Sequence, residues 1–157
     1  MKDGDIPFWI EYIGENHDFR WRTKAQANYD LTQFTKDSFK LLNGNGKVIA
    51  RCIDGHLTVE PGYKWDGCTG IGALTETGPT LIASIPHDIL YIAKKCEPSL
   101  KYTLNQADIY FNRLMKTLYS DRGVSSVRPT LYYYGIKLLG WPFKFNKVPG
   151  YAVVKGK

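Results

Sequence analysis

The stretch from Phe39 to Ile53, FKLLNGNGKVIARCI, restricts the fold more than any other part of the chain. Two short apolar runs flank Asn43-Gly44-Asn45-Gly46, residue types that accept positive φ. A chain leaving the first run must reverse there and pair with the second, so the pattern predicts a β-hairpin. Asp54-Gly55 follows at once and predicts a second reversal into DGHLTVEPGYKWDG. Upstream, FWIEYI (8–13), DFRWRTK (18–24) and the alternating NYDLTQFT combine aromatic and β-branched residues at strand length. Residues 1–75 therefore read as a small antiparallel sheet built from hairpins and a meander.

Past residue 78 the apolar period changes from two to 3.6. Helices are predicted over about 79–96, 103–119 and 126–140. The first begins at Gly78-Pro79, or restarts at Ser84 with Pro86 in its first turn. Thr103 caps the second, and Ser125 or Ser126 the third, with Pro129 early and Gly140 and Pro142 at its end. The tail 141–157 reads as an irregular or short-strand segment. A chain of 157 residues suits one core, so the expectation is a single α+β domain over 1–157, β-rich in 1–75 and helical in 79–140.

Within the first predicted helix, SIPHDILY (84–91) places His87 and Tyr91 one turn apart. Ile85, Ile89, Ile92, Ala93 and Cys96 form the aliphatic stripe, leaving Ser84, His87, Tyr91 and Lys94 on the other side and Asp88 at the border. Taken alone, this is a solvated face with an incidental histidine. On the second helix Leu104, Ala107, Phe111, Leu114, Met115 and Leu118 form the stripe, and Asp108 lies at its edge. A half-buried carboxylate needs a partner. The short connection 97–102 makes the two helices antiparallel neighbours. Asp108 then either orients His87, leaving one ring nitrogen as a base, or bonds a tyrosine or a backbone amide. The two readings carry equal weight.

The loop YKWDGCTGIGALTETGP (63–79) supplies Gly67, Gly70, Gly72 and Gly78. It lacks the Lys-Ser/Thr ending of a phosphate-binding loop. Asp66 and Asp88 are candidate ligands for a hard divalent cation, calcium or magnesium, with loop carbonyls completing the oxygen set; no cofactor is required by the sequence, and Asp66-Gly67 also reads as a plain turn. Cys68 with His87 would make a nucleophile pair, although cysteines are more often inert packing residues. His17 and His56 have no partner at metal spacing. The C-terminal end is aromatic and basic: Tyr132, Tyr133, Tyr134, Trp141, Phe143 and Phe145 interleave with Lys137, Lys144 and Lys147. Three consecutive tyrosines cannot all face one core, so this end is a candidate binding surface, centred on Tyr132, Tyr133, Trp141 and Lys137. The plainer alternative is an aromatic cluster closing the core.

Lys and Arg number 21 against 15 Asp and Glu, a formal charge of +6. That permits an acidic partner, but without a basic run it gives no indication of nucleic acid beyond net charge. Three cysteines, 52, 68 and 96, without C-x-x-C spacing, argue against a disulfide framework or zinc site and for a reducing compartment. The N-terminus lacks the apolar run of a signal peptide, and no stretch approaches the ~20 apolar residues of a membrane span. A soluble, intracellular protein is expected.

Three segments, VEPGYKWDGCTG, IPHDILY and QADIYF, resemble a family of short phage and bacterial proteins catalogued as a domain of unknown function. Its pattern is a Pro-x-Gly-aromatic turn, an Asp-Gly-x-Ser/Thr step, a His-Asp-x-Leu-Tyr helix and an Ala-Asp-x-x-Phe helix. Here these are Gly62, Tyr63, Asp66, Gly67, Thr69, His87, Asp88, Leu90, Tyr91, Ala107, Asp108 and Phe111. The match covers roughly 59–140, with Trp65, Cys68 and the longer GIGALTETG segment as departures. The resemblance implies a phage or prophage origin and a place in the host cytoplasm or on the virion. The motif order is also similar to that of secreted phospholipase A2, whose many disulfides this chain does not share. That likeness implies Ca²⁺ at Asp88 and the loop, His87 deprotonating water, and Asp108 orienting His87. Two expectations follow. One is a metal-assisted ester or amide hydrolase with His87 as base, Asp108 and Tyr91 beside it, and Asp88 and Asp66 on the metal. The other is a non-catalytic protein that binds a host or virion protein, its His/Asp network being structural.

Overall fold

The structure, a computed structural model, describes residues 6–14, 19–67, 77–124, 127–139 and 150–156. Strands β1 (Ile10–Tyr12), β2 (Trp21–Thr23), β3 (Ala27–Asp30), β4 (Phe39–Asn43), β5 (Val48–Ile53), β6 (His56–Val59) and β7 (Lys64–Trp65) precede helices α1 (Gly78–Cys96), α2 (Leu104–Asp121) and α3 (Arg128–Leu139). A last strand, β8 (Tyr151–Lys155), closes the described chain. The class is α+β, with the strands N-terminal and the helices C-terminal apart from β8.

The strands form two antiparallel sheets, not one meander. β1-β2-β7 is three-stranded; β3-β6-β5-β4-β8 is five-stranded. The central hairpin pairs Leu41 with Ala50 and Phe39 with Cys52. Gly46 takes φ +75° in its turn. At the second turn Asp54 and Gly55 both have positive φ, 48° and 85°, the pair that a two-residue hairpin of strand-compatible twist requires. Gly55 is fixed twice over, since a Cβ there would lie 2.3 Å from the Thr35 carbonyl oxygen. The tail returns to the sheet because β8 pairs with β4 from Phe39↔Lys155 to Asn43↔Tyr151.

α1 starts at the earlier of the two predicted places. Thr77 is its N-cap in a reciprocal box with Thr80, and Pro79 occupies the first turn. The helix runs straight through Pro86, which has no N–H to give the Ile82 carbonyl. The Tyr29 hydroxyl, reaching from β3, donates to that carbonyl at 3.1 Å instead. Ser84 does not cap. Its hydroxyl donates to the Leu81 carbonyl and accepts from Trp65 Nε1 at 3.0 Å. The side of α1 expected to be solvated is covered in its first half: Ser84 and His87 are buried along with Ile85, Ile89 and Ala93, while Tyr91 and Lys94 are half-buried. α1 packs between the sheets and α2, and its remaining partly exposed face carries Asp88, Tyr91, Lys94 and Lys95.

One buried cluster joins residues of both sheets to α1 and the start of α2, including Trp21, Leu41, Val59, Trp65, Ile85, Ile89 and Ala107. A second joins the helices through Ala83, Phe111, Met115 and Tyr132. α2 begins at the Thr103 capping box with Gln106. It runs antiparallel to α1: Asp108 meets His87 near one end, and the Tyr119 hydroxyl meets Thr77 Oγ1 at 2.8 Å near the other.

Candidate functional site

The polar centre sits where the middle of α1 crosses the first turns of α2. One turn into α2, Asp108 projects between the helices and is 0% exposed. Its Oδ1 takes two donors from α1, Tyr91 Oη at 2.5 Å and His87 Nε2 at 3.0 Å. The i,i+4 spacing of His87 and Tyr91 makes this possible, because it sets the two rings side by side on one face, tilted by 38° with centroids 4.4 Å apart. Phe111, one turn beyond Asp108, closes the other side of the imidazole at 5.1 Å. His87 is left 8% exposed.

The other ring nitrogen, Nδ1, faces Asp88 Oδ1 at 3.3 Å. This contact is longer, and the Asp88 side chain is 33% exposed. The imidazole thus has an inner nitrogen locked on a buried carboxylate and an outer one toward the surface. Burial works against the charged ring, but hydrogen bonds to Asp108 and Asp88, with the charges of both carboxylates, outweigh it and hold the His87 pKa above 6.5. Burial, with Asp66 nearby, raises the Asp88 carboxyl above its usual range against the opposing pull of His87. Burial and the bond to Asp108 raise the Tyr91 hydroxyl, which remains a donor at neutral pH.

These shifts predict a pH dependence of stability. His87 binds its proton more tightly folded than unfolded. Its contribution is complete below pH 6.5 and is lost as pH rises through the higher folded value. Asp88 acts in the same sense in an earlier window, beginning at 3.8. The difference in melting temperature between wild type and His87→Gln is expected to shrink as pH rises above 6.5. A difference constant from pH 5 to 9 would contradict the charged, doubly bonded imidazole.

The structure brings together His87, Asp108, Tyr91 and Asp88. Asp66 is exposed and acts on Asp88 only through its charge, while its backbone carbonyl accepts from the Arg20 guanidinium at 2.6 Å. Among the described residues no group of three or more His, Cys, Asp and Glu side chains is placed to hold a metal ion. Asp66 and Asp88 alone do not complete an oxygen set. Cys68, Gly70 and Gly72 lie outside the described residues, as do His17, Trp141, Phe143, Phe145, Lys144 and Lys147. His56 is exposed on β6.

Of the tyrosines on α3, Tyr132 is buried against Phe111, Tyr133 is half-buried and Tyr134 is exposed. Lys137 turns inward. Its ammonium lies over the Tyr133 ring, donates to Asn105 Oδ1 and stands 3.9 Å from Asp108 Oδ2. The sequence assigned Lys137 to a surface; in the fold its side chain is 31% exposed and its ammonium is a third arm on the buried carboxylate, beside His87 and the neutral Tyr91, from a position 29 residues away. No local pattern announces such a contact. Comparison with protein-family models, with curated proteins and with solved structures returns no match.

Proposed function

We propose that the α1–α2 centre is a hydrolytic site for esters or amides, with His87 as general base. The observation that carries it is the asymmetry of the imidazole. Nε2 is held by a fully buried carboxylate that also accepts from Tyr91, while Nδ1 meets, among the described residues, the partly exposed Asp88. Loss of the Nδ1 proton leaves the Nε2–H tautomer bonded to Asp108 and puts a lone pair on the outer side, where it can take a proton from water. Asp108 and Tyr91 position the ring and do not touch the reacting atoms. A divalent cation would need further oxygen ligands beside Asp88 and Asp66; bound with them, it would supply polarisation of the carbonyl under attack. It would also compete with His87 Nδ1 for Asp88 and lower the His87 pKa. An origin in a phage or prophage, in the host cytoplasm or on the virion, belongs to the same proposal.

The test is a panel of activated esters and amides assayed from pH 5 to 9, with and without calcium or magnesium. Wild type should hydrolyse one class with a rate that rises with pH along a limb centred above 6.5, the value that the two carboxylates displace upward. His87→Gln should lose on the order of 10²-fold or more. A folded wild type inert across the panel, or a His87→Gln variant equally active, overturns the reading. The second reading is a binding protein whose His/Asp network only fastens α1 to α2. It is favoured by the carboxylate on each ring nitrogen and by the Phe111 and Tyr91 rings over the imidazole.

A further inference from the structure

The outer face of α3 carries apolar side chains that no described element covers. Val127, Leu131, Tyr134 and Leu138 are all exposed, from 48% at Leu131 to 77% at Leu138. Their spacing of four, three and four residues places them within about 60° of one another around a helix. Val127 belongs to the stripe because its carbonyl accepts from the Thr130 and Leu131 amides, continuing the helical pattern. A single apolar ridge, one residue per turn, is the form that packs against another helix.

Beside this ridge runs a groove of about 300 Å³, lined by Ile109, Asn112, Arg113 and Lys116 of α2 and by Thr130, Tyr133 and Tyr134 of α3. Tyr134 belongs to both groove and ridge. The α2 wall is itself an i, i+3, i+4, i+7 row, and its charged members are both cationic. Arg113 is steadied by the Phe34 ring, 5.3 Å from its guanidinium. We infer that this ridge and groove form a docking site for an acidic amphipathic helix of a partner protein. The partner's apolar face would lie along Leu131, Tyr134 and Leu138, and its carboxylates would meet Arg113 and Lys116. The cationic wall selects an acidic segment over a second copy of this basic chain. The one-per-turn α3 ridge and the i, i+3, i+4, i+7 row of the α2 wall both repeat at the pitch of a helix, which favours a helical partner over a bilayer. The site is separate from His87 and gives the binding reading a defined partner chemistry.

A random 16-residue peptide library selected on the full chain tests this. Enriched sequences should be rich in Asp and Glu, with apolar residues at i, i+3 or i+4, and i+7. A synthetic peptide of that pattern should bind with an affinity that falls as salt rises. Leu131→Glu with Leu138→Glu should weaken it at least tenfold, and so should Arg113→Glu with Lys116→Glu, both with unchanged circular dichroism. His87→Gln should bind as wild type does, which separates this outcome from the fate of the hydrolytic proposal. No enrichment, enrichment of non-acidic sequences, or binding that survives both double variants overturns the inference. So does binding to phosphatidylglycerol vesicles that the same substitutions abolish without any peptide binding, or a wild-type dimer that Leu138→Glu makes monomeric.

Discussion

Asp108→Ala is expected to destabilise the fold by about 3–5 kcal/mol, the usual cost of removing one member of a buried ion pair. The carboxylate is fully buried and is approached by His87 and Tyr91 from α1 and by Lys137 from α3. Without it, a buried imidazole and a half-buried phenol lose their acceptor, and Lys137 loses an anion. In a chain of this length such a loss lowers the melting temperature by about 6–20 °C. Asp108→Asn is the informative companion. An amide oxygen can still accept from Nε2 and Tyr91, so less stability is lost, but the charge that raises the His87 pKa is gone. The His87 pKa, followed by NMR of the ring protons, should fall. The double variant His87→Leu with Asp108→Leu should be less destabilised than the sum of its single variants, since it buries no unpaired charge. A melting temperature for Asp108→Ala equal to wild type would mean that water reaches the inner nitrogen of His87 and that Asp108 does not anchor α1 to α2.

Phe111→Ala is expected to cost about 3–5 kcal/mol by a different route, the loss of a buried ring and the cavity it leaves. Phe111 is completely buried and touches all three helices, through Ala83 on α1, Met115 on its own helix and Tyr132 on α3. It also walls the imidazole. Urea denaturation should show the loss as a lower midpoint. Leu138→Ala is the control, because Leu138 is mostly exposed and a surface truncation changes stability by about 0.5 kcal/mol or less. Equal effects at the two positions would show that Leu138 is covered in solution and that the α3 ridge is not a free surface.

Much of this arrangement is legible along the chain. The reversals at Asn43–Gly46 and Asp54-Gly55, the cap at Thr103 and the three helices each arise from signals within a few residues of one another. The candidate centre is partly legible for the same reason. His87 and Tyr91 are one turn apart, and a short connection returns α2 along α1, so Asp108 falls within reach. Less visible are contacts between distant segments. Trp65 bonding Ser84 removes a helix start that Ser84-Ile85-Pro86 suggested. Tyr29 bonding the Ile82 carbonyl meets the acceptor that Pro86 leaves without an amide, so the helix continues where a break was the alternative. Ser84 and His87, on the expected wet side of α1, are buried because helix periodicity marks only the most apolar face, and a helix packed on more than one side is covered on faces that need not be apolar if their polar groups are paired.

The sequence by itself determined the reversals at Asn43–Gly46 and Asp54-Gly55, the order of strands before three helices, and that His87 and Tyr91 share one helix face with Asp108 within reach on the next helix, because periodicity, caps and turn residues act over a few positions. Only the tertiary structure decided that the strands divide into two sheets, that β8 returns to pair with β4, that Lys137 turns inward to Asp108, and that the outer nitrogen of His87 meets a partly exposed carboxylate while the inner one meets a buried one. Those outcomes depend on burial and on partners tens of residues away, and neither leaves a periodic trace in the chain.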